Sequence, residues 1–151
     1  MDVKNLIMYT DGGCSGNPGV GGWAFVLAGE DGHAEMEKSG GSRYTTNNKM
    51  ELTAVIEGLK YCLEAQAGKV TVHTDSQYVK NGITAWISNW KKNNWKTAAR
   101  KPVKNQELWK ELDSLNASLD VSWQWVKGHA GIELNERCDT LVGLEMDKLG
   151  R

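Results

Sequence analysis

Nothing in this 151-residue chain approaches the ~18 consecutive apolar residues of a membrane span, which excludes a helical membrane protein. Cysteine is scarce: Cys14, Cys62 and Cys138 are odd in number and share no Cys-x-x-Cys spacing. That argues against both a disulfide scaffold and a zinc knuckle. The opening MDVKNLIMYT carries an acid at position 2 and no small-residue cleavage site, so it does not read as a signal peptide. A cytoplasmic protein is expected, and the Asn116-Ala117-Ser118 sequon then has no use. The glycine-rich run 12–22 lacks a following Gly-Lys-Ser or Gly-Lys-Thr, so it is no P-loop. The most telling absence is local. Residues 76–106 contain no Asp or Glu, while Lys80, Lys91, Lys92, Lys96, Arg100, Lys101 and Lys104 supply seven positive charges. The remainder holds eleven positive charges against nineteen negative ones, so a formal net charge of −1 conceals a basic block on an acidic body. Such a division points to a polyanionic partner bound locally.

What is present is an ordinary globular composition, 40% hydrophobic and 25% charged, of a size that fits one domain over 1–151. Residues 3–11, 23–29 and 33–41 read as a three-strand antiparallel meander, with the glycine-rich 12–22 as its first turn. Thr46 or Asn47 is a suitable N-cap for a helix to about Ala65, whose apolar stripe is Leu52, Val55, Ile56, Leu59 and Leu63. A strand follows at 69–75, then short helices at 76–82 and 84–92, a basic loop to Lys104 and a helix over 105–116. A last strand at 119–128 and a last helix from Asn135 towards Leu149 complete the order βββαβαααβα. A meander followed by crossovers predicts an α/β fold, with a mixed sheet and helices packed on it.

Two of these strands end on the same dipeptide, Thr10-Asp11 and Thr74-Asp75. Side by side and parallel, they would bring two carboxylates to the carboxyl edge of the sheet, where open α/β sheets place their ligands. Adjacent carboxylates repel and need a proton or a cation, so the pair suggests a divalent-metal site. At about 100° per residue, Glu51 lies about 85° from the centre of its helix's apolar stripe. Asp139 lies about 90° from the stripe Leu134, Cys138, Leu141, Val142 and Leu149. Acids at the border of a buried face can look into a crevice, although border acids are commonly only solvated. His129, between Gly128 and Gly131, sits in a segment suited to moving a proton. His33 reads as a surface residue and His73 as a strand residue.

These residues fall within motifs that resemble ribonuclease HI, the bacterial type-1 ribonuclease H, over nearly the whole chain. They are YTDGGCSGNPG (9–19), TTNNKMEL (45–52), TDSQYVKNGI (74–83), WKKNNWKT (90–97), KPVKN (101–105), WVKGHAG (125–131) and NERCDTL (135–141). The resemblance implies a ribonuclease H-like fold: a five-stranded mixed sheet, helices on both faces and a basic protrusion. It implies hydrolysis of the RNA strand of RNA·DNA hybrids to 5′-phosphate and 3′-hydroxyl ends. Asp11, Glu51, Asp75 and Asp139 would hold two Mg²⁺ ions, with Mn²⁺ a possible substitute. Asp11 would bridge both ions, Asp139 would complete one site, and Glu51 with Asp75 the other. His129 would be the mobile catalytic histidine, with Asn135 supporting it.

For the substrate, the resemblance assigns a DNA-strand channel to Trp90 with Lys91, Lys92 and Lys96. Trp86, Trp90 and Trp95 lie in the basic block, and aromatics beside lysines suit sugars and bases. Tryptophans at helical spacing also commonly anchor a segment to its own domain, so Trp86 and Trp95 carry both readings. A DNA-phosphate pocket would use Thr46 and Asn105; the arginine usual two residues before the threonine is replaced by Tyr44, with Arg43 one step away. Cys14, Asn17, Asn48 and Gln77 are implied contacts in the minor groove, where 2′-hydroxyls distinguish RNA from DNA. A transposase- or integrase-type DNA-cutting domain would need target-binding domains that 151 residues do not hold, and would leave the basic block without a role. A non-catalytic hybrid-binding module would predict loss of one or more of the four carboxylates, and all are present. No hydrophobic patch points to an oligomer, so a monomer is expected.

Overall fold

A computed structural model describes residues 4–125 and 133–151. Strands β1 (Leu6–Ser15), β2 (Gly19–Ala28) and β3 (Ala34–Thr45) form the antiparallel meander. Helix α1 (Asn47–Glu64) crosses back to β4 (Lys69–Thr74), which pairs parallel with β1, and β5 (Asp120–Trp125) pairs parallel with β4. The sheet order is β3-β2-β1-β4-β5. Between β4 and β5 run α2 (Gln77–Asn81), α3 (Ile87–Lys92) and α4 (Gln106–Ser118), and α5 (Glu133–Lys148) follows β5. The expected five-stranded mixed sheet is therefore present.

Period-two alternation decides which helices cover which face. Leu6 and Met8 of β1, Phe25 and Leu27 of β2 and Val70 and Val72 of β4 pack with α1, α2, α3 and α4. Tyr9 of β1 and Ala24 and Val26 of β2 pack instead with Cys138, Leu141, Val142 and Met146 of α5. No helix among the described residues is long and apolar enough to cross a membrane.

Three differences from the sequence reading have packing reasons. The glycine-rich run is mostly strand: β1 continues to Ser15 and β2 begins at Gly19, with cross-strand partners from Gly12↔Trp23 to Ser15↔Val20. Glycine suits a turn, but it also suits a strand that another element must approach closely. A Cβ on Gly12 would lie 2.4 Å from the Glu51 backbone nitrogen, and one on Gly58 of α1 would lie 2.1 Å from the Met8 sulfur. At Gly12 helix and strand therefore touch backbone to backbone, and at Gly58 the helix backbone rests on the Met8 side chain. The buried arc of α1 is also wider than one stripe, because the sheet and α4 both cover it. Cys62 is fully buried while Leu63, placed in the stripe from sequence, is 43% exposed.

The third difference is that the helices expected at 76–82 and 84–92 are one rod. A π-helical turn, Gly82–Trp86, joins α2 to α3. A Cβ at Gly82 would meet the buried Trp109 ring at 1.9 Å. The widened turn and the missing side chain together admit an indole. Trp109 donates from Nε1 to the Tyr78 hydroxyl at 3.0 Å, and its ring centroid lies 5.5 Å from Trp90 and 6.4 Å from Trp86. The aromatic residues of the basic block thus begin as structural anchors.

Candidate active site

The parallel register of β1 and β4 runs from Leu6↔Val70 to Tyr9↔His73. Carried two residues further, it sets Asp11 level with Asp75. The two acids are not equivalent in backbone terms. Asp11 lies inside β1, paired with Ala24, whereas Asp75 is the first residue beyond β4. From α1, Glu51 reaches the same edge because the Gly12 contact brings its backbone against β1. Asp139 arrives from α5. All four carboxylates line one cavity of about 510 Å³, together with Gly12, Gly13, Cys14, Asn47, Val142, Gly143, Met146 and Arg151.

Glu51 is held at both carboxylate oxygens. One carboxylate oxygen accepts from Asn47 Nδ2 at 3.1 Å, and the other accepts a short hydrogen bond from the Ser76 hydroxyl. Ser76 also caps α2, its oxygen accepting from the Val79 N–H at 3.1 Å. One side chain therefore ties the start of α2 to the cavity. The sequence marks Asn47 only as a candidate N-cap and gives Ser76 no role at the site. The i, i+4 spacing of Asn47 and Glu51 was a usable signal, but the Ser76 bond depends on a crossover.

Burial pushes the Glu51 carboxyl above the usual carboxylate range. The Ser76 and Asn47 hydrogen bonds favour the ionised form and oppose that shift, and the Asp75 charge reinforces it. The folded state therefore holds this proton more tightly than the unfolded chain, and stability falls as pH rises through the window between the two pKa values. In chelator at neutral pH, Glu51→Gln is expected to melt higher than the wild type. The gap should close on acidification below the ordinary carboxylate range. Thermal melts across pH measure this, and a Gln variant that melts no higher at neutral pH would contradict it.

The donor set suits a hard cation. Cys138 is fully buried, its Sγ donating to the Tyr9 carbonyl at 3.3 Å. Burial, and then the Asp11 charge, drive its thiol far upward, so it stays protonated. Cys14 Sγ donates to the Thr45 carbonyl at 3.4 Å. The charged groups remaining to a cation are carboxylate oxygens, as Mg²⁺ or Mn²⁺ prefers. Among the described residues no three acidic, thiol or imidazole side chains already close on one metal-binding point. The carboxylates line the cavity rather than forming a finished cage, and their mutual repulsion favours that openness. His129 lies outside the described residues. Asn135, expected to support it, is buried, with neither side-chain polar atom hydrogen-bonded among the described residues.

A second cleft, of about 370 Å³, collects Asn17, Thr46, Asn48, Lys49, Lys104 and Asn105. Thr46 caps α1, accepting from the Lys49 N–H at 3.2 Å, and Asn17 Oδ1 accepts from the Asn47 N–H at 3.1 Å. Asn105 adopts a left-handed backbone (φ 59°) and donates from Nδ2 to the Tyr78 hydroxyl at 3.1 Å. Thr46 and Asn105, far apart in sequence, are thus brought together. Exposed Arg43 does not line the cleft; its cations are Lys49 and Lys104. Gln77 is exposed beside Asp75.

In the basic block Trp86, Trp90 and Trp95 are half-buried and packed at tilted angles, the Trp90 ring centroid lying 5.8 Å from Trp86 and 6.1 Å from Trp95. Lys91 is paired with Asp113 of α4 at 2.9 Å. Lys92 and Lys96 instead border an open basic concavity with Asn93, Asn94, Thr97 and Arg100. The block therefore has an anchored side and an open side.

A mixed sheet with four acids around a cavity at the carboxyl edge of its parallel strands defines an α/β protein whose cavity has the donor chemistry suited to a hard cation. The profile of the RNase H family matches residues 3–146, and the chain belongs to that family. It is 56% identical over 151 residues to a Ribonuclease H of Treponema denticola, covering 91% of this chain and 94% of that protein. A Ribonuclease H of Hydrogenovibrio crunogenus is 58% identical over 147 residues, covering 97% and 99%. Among solved structures, LC11-RNase H1 in complex with RNA/DNA hybrid superposes with a TM-score of 0.74. It is 26% identical, and the match covers 95% of this chain and 97% of that one.

Proposed function

We propose that this chain cuts the RNA strand of RNA·DNA hybrids as a metal-dependent endonuclease, with Asp11, Glu51, Asp75 and Asp139 as its metal-binding carboxylates. Family membership supports the activity, since the family's enzymes are nucleases acting on RNA in RNA/DNA hybrids. The observation that carries the site assignment is the convergence of four acids, from β1, α1, the end of β4 and α5, on one cavity. Two Mg²⁺ ions bound there would activate a water and offset charge on the attacking and leaving oxygens, leaving 5′-phosphate and 3′-hydroxyl ends.

The chain's own residues do the positioning. Asn47 and Ser76 hold both oxygens of Glu51, so that carboxylate keeps its orientation while substrate enters. Asp11, paired with Ala24 inside β1 and two residues past the last β1–β4 pair, is mounted on a strand and is assigned the bridging role. His129 is assigned proton movement or product release. Exposed Asn48 and Gln77, with Cys14 and Asn17 in the first hairpin, are assigned to the minor groove. The Thr46–Asn105 cleft is assigned a DNA phosphate, with Lys49 and Lys104 supplying the charge that an arginine would bring. Trp90, Lys92 and Lys96 are assigned the DNA strand, Trp86 backing them; Lys91 is assigned a lesser share because Asp113 already engages it. The functional unit is read as a single-domain, cytoplasmic monomer.

The test is incubation of end-labelled RNA·DNA hybrid, duplex RNA and duplex DNA with the protein in Mg²⁺, with and without chelator. Cutting confined to the RNA of the hybrid and abolished by chelator is expected. Cutting of duplex DNA, or an intact hybrid, would reject the reading.

A further inference from the structure

Arg151 lines the same cavity as the four carboxylates, and among the described residues no other Lys or Arg does so. Its placement is fixed by the end of α5. Gly150 takes a left-handed backbone (φ 84°), its N–H donates to the Asp147 carbonyl at 3.1 Å, and the Arg151 N–H donates to the Met146 carbonyl at 3.2 Å. That pair of bonds is a Schellman closure, which folds the next residue back over the helix's final turn. The side chain consequently runs along α5. Nε donates to Asp147 Oδ1 at 3.2 Å and Nη1 reaches the Met146 sulfur at 3.7 Å. At Gly143, which also lines the cavity, a Cβ would sit 3.7 Å from Nη2, so the absent side chain leaves the guanidinium open to the cavity wall.

A polyanion entering a cavity walled by four carboxylates meets repulsion, and a fixed cation on that wall both offsets it and orients the strand. A guanidinium presents five N–H donors in a planar fork, and its bonds to Asp147 and Met146 leave at least two of them. Its pairing with Asp147 is at the surface, where such pairs are weak and readily exchanged for a phosphate. The opposite strand has other candidate contacts in the Thr46–Asn105 cleft and the basic concavity. We propose that Arg151 binds a phosphate of the RNA strand beside the bond being cut; this rests on the hybrid-nuclease reading above.

The experiment is steady-state cleavage of RNA·DNA hybrid in Mg²⁺ over a range of salt, for wild type, Arg151→Ala, Arg151→Lys and Asp147→Asn. Arg151→Ala is expected to raise KM about three- to tenfold with kcat changed by less than about twofold. The slope of log KM against log salt should fall by about one, because one phosphate contact is lost. Arg151→Lys keeps the charge but not the fork, so it should restore the slope and only part of KM. Asp147→Asn releases the guanidinium and should leave KM equal or lower. If the wild type cuts hybrid while Arg151→Ala keeps its KM and slope, Arg151 does not touch substrate. A raised KM with unchanged slope and a lowered melting temperature would make it only a helix cap, which also overturns the proposal. A wild type that fails to cut hybrid refutes the parent reading instead.

Discussion

Asp11→Asn is expected to lower turnover of RNA·DNA hybrid by at least about 10²–10³-fold, the scale of removing one group that stabilises charge in a reacting centre. The substitution is nearly isosteric, so β1 should keep its pairing with β2 and β4 and the protein its melting temperature. What disappears is a charge at a β1 position that lines the cavity. Hybrid binding in chelator should be retained, because the proposed phosphate contacts lie on or beside α1, α3 and α4 and at Arg151, beyond the end of α5. Single-turnover cleavage and gel-shift titration separate the two quantities. Activity within about tenfold of wild type would remove Asp11 from the bridging role, and lost binding would show that the change disturbed more than the acid.

Gly12→Ala should be the most damaging single-methyl change near the site. The added carbon would lie 2.4 Å from Glu51 N, 2.5 Å from Met50 C and 2.7 Å from Met50 O. All three are backbone atoms of α1, so no side-chain rotation relieves the clash and the helix must move off the strand. Overpacking of this kind costs about 1–3 kcal/mol, and here the upper end is expected, since α1 is held from behind by α4. Moving α1 also carries Glu51 away from Asp11. Activity should therefore fall about tenfold or more even in the folded fraction, since an ångström of misplacement can cost about a hundredfold. Urea denaturation and activity at saturating metal test both halves. Unchanged stability would mean that α1 is not clamped to β1 at this glycine.

The element order was legible from sequence because each element advertises its own period. Met8, Phe25, Leu27, Val70 and Val72 sit at alternating positions, and α1 and α5 carry apolar residues at helical spacing. The glycine-rich run misled because glycine signals both a turn and a close backbone approach, and composition cannot separate them. Gly12, Gly13, Gly21 and Gly22 are strand residues because α1 and α5 press against them. The tryptophans divide in a similar way. A run of indoles among lysines reads as a nucleic-acid platform, yet Trp86, Trp90 and Trp95 also stack into the cluster around Trp109, leaving only part of each ring to a ligand.

The carboxylates show both sides of this division. That Asp11 and Asp75 follow similar β-type runs, and that Glu51 and Asp139 lie near the buried faces of helices, is written in local periodicity. Sequence alone also set a hard-oxygen chemistry, a basic block without acids between residues 76 and 106, and motifs specific enough to indicate the family. Tertiary structure decided which groups hold the acids in place: Ser76 on Glu51, Gly12 beneath α1, Lys49 and Lys104 in the cleft where Arg43 is missing, and Arg151 turned back into the cavity. Periodicity reports how a residue faces its own helix or strand. Which neighbour it meets depends on strand order, crossing distance and the way a helix ends, and those emerge only when the elements pack.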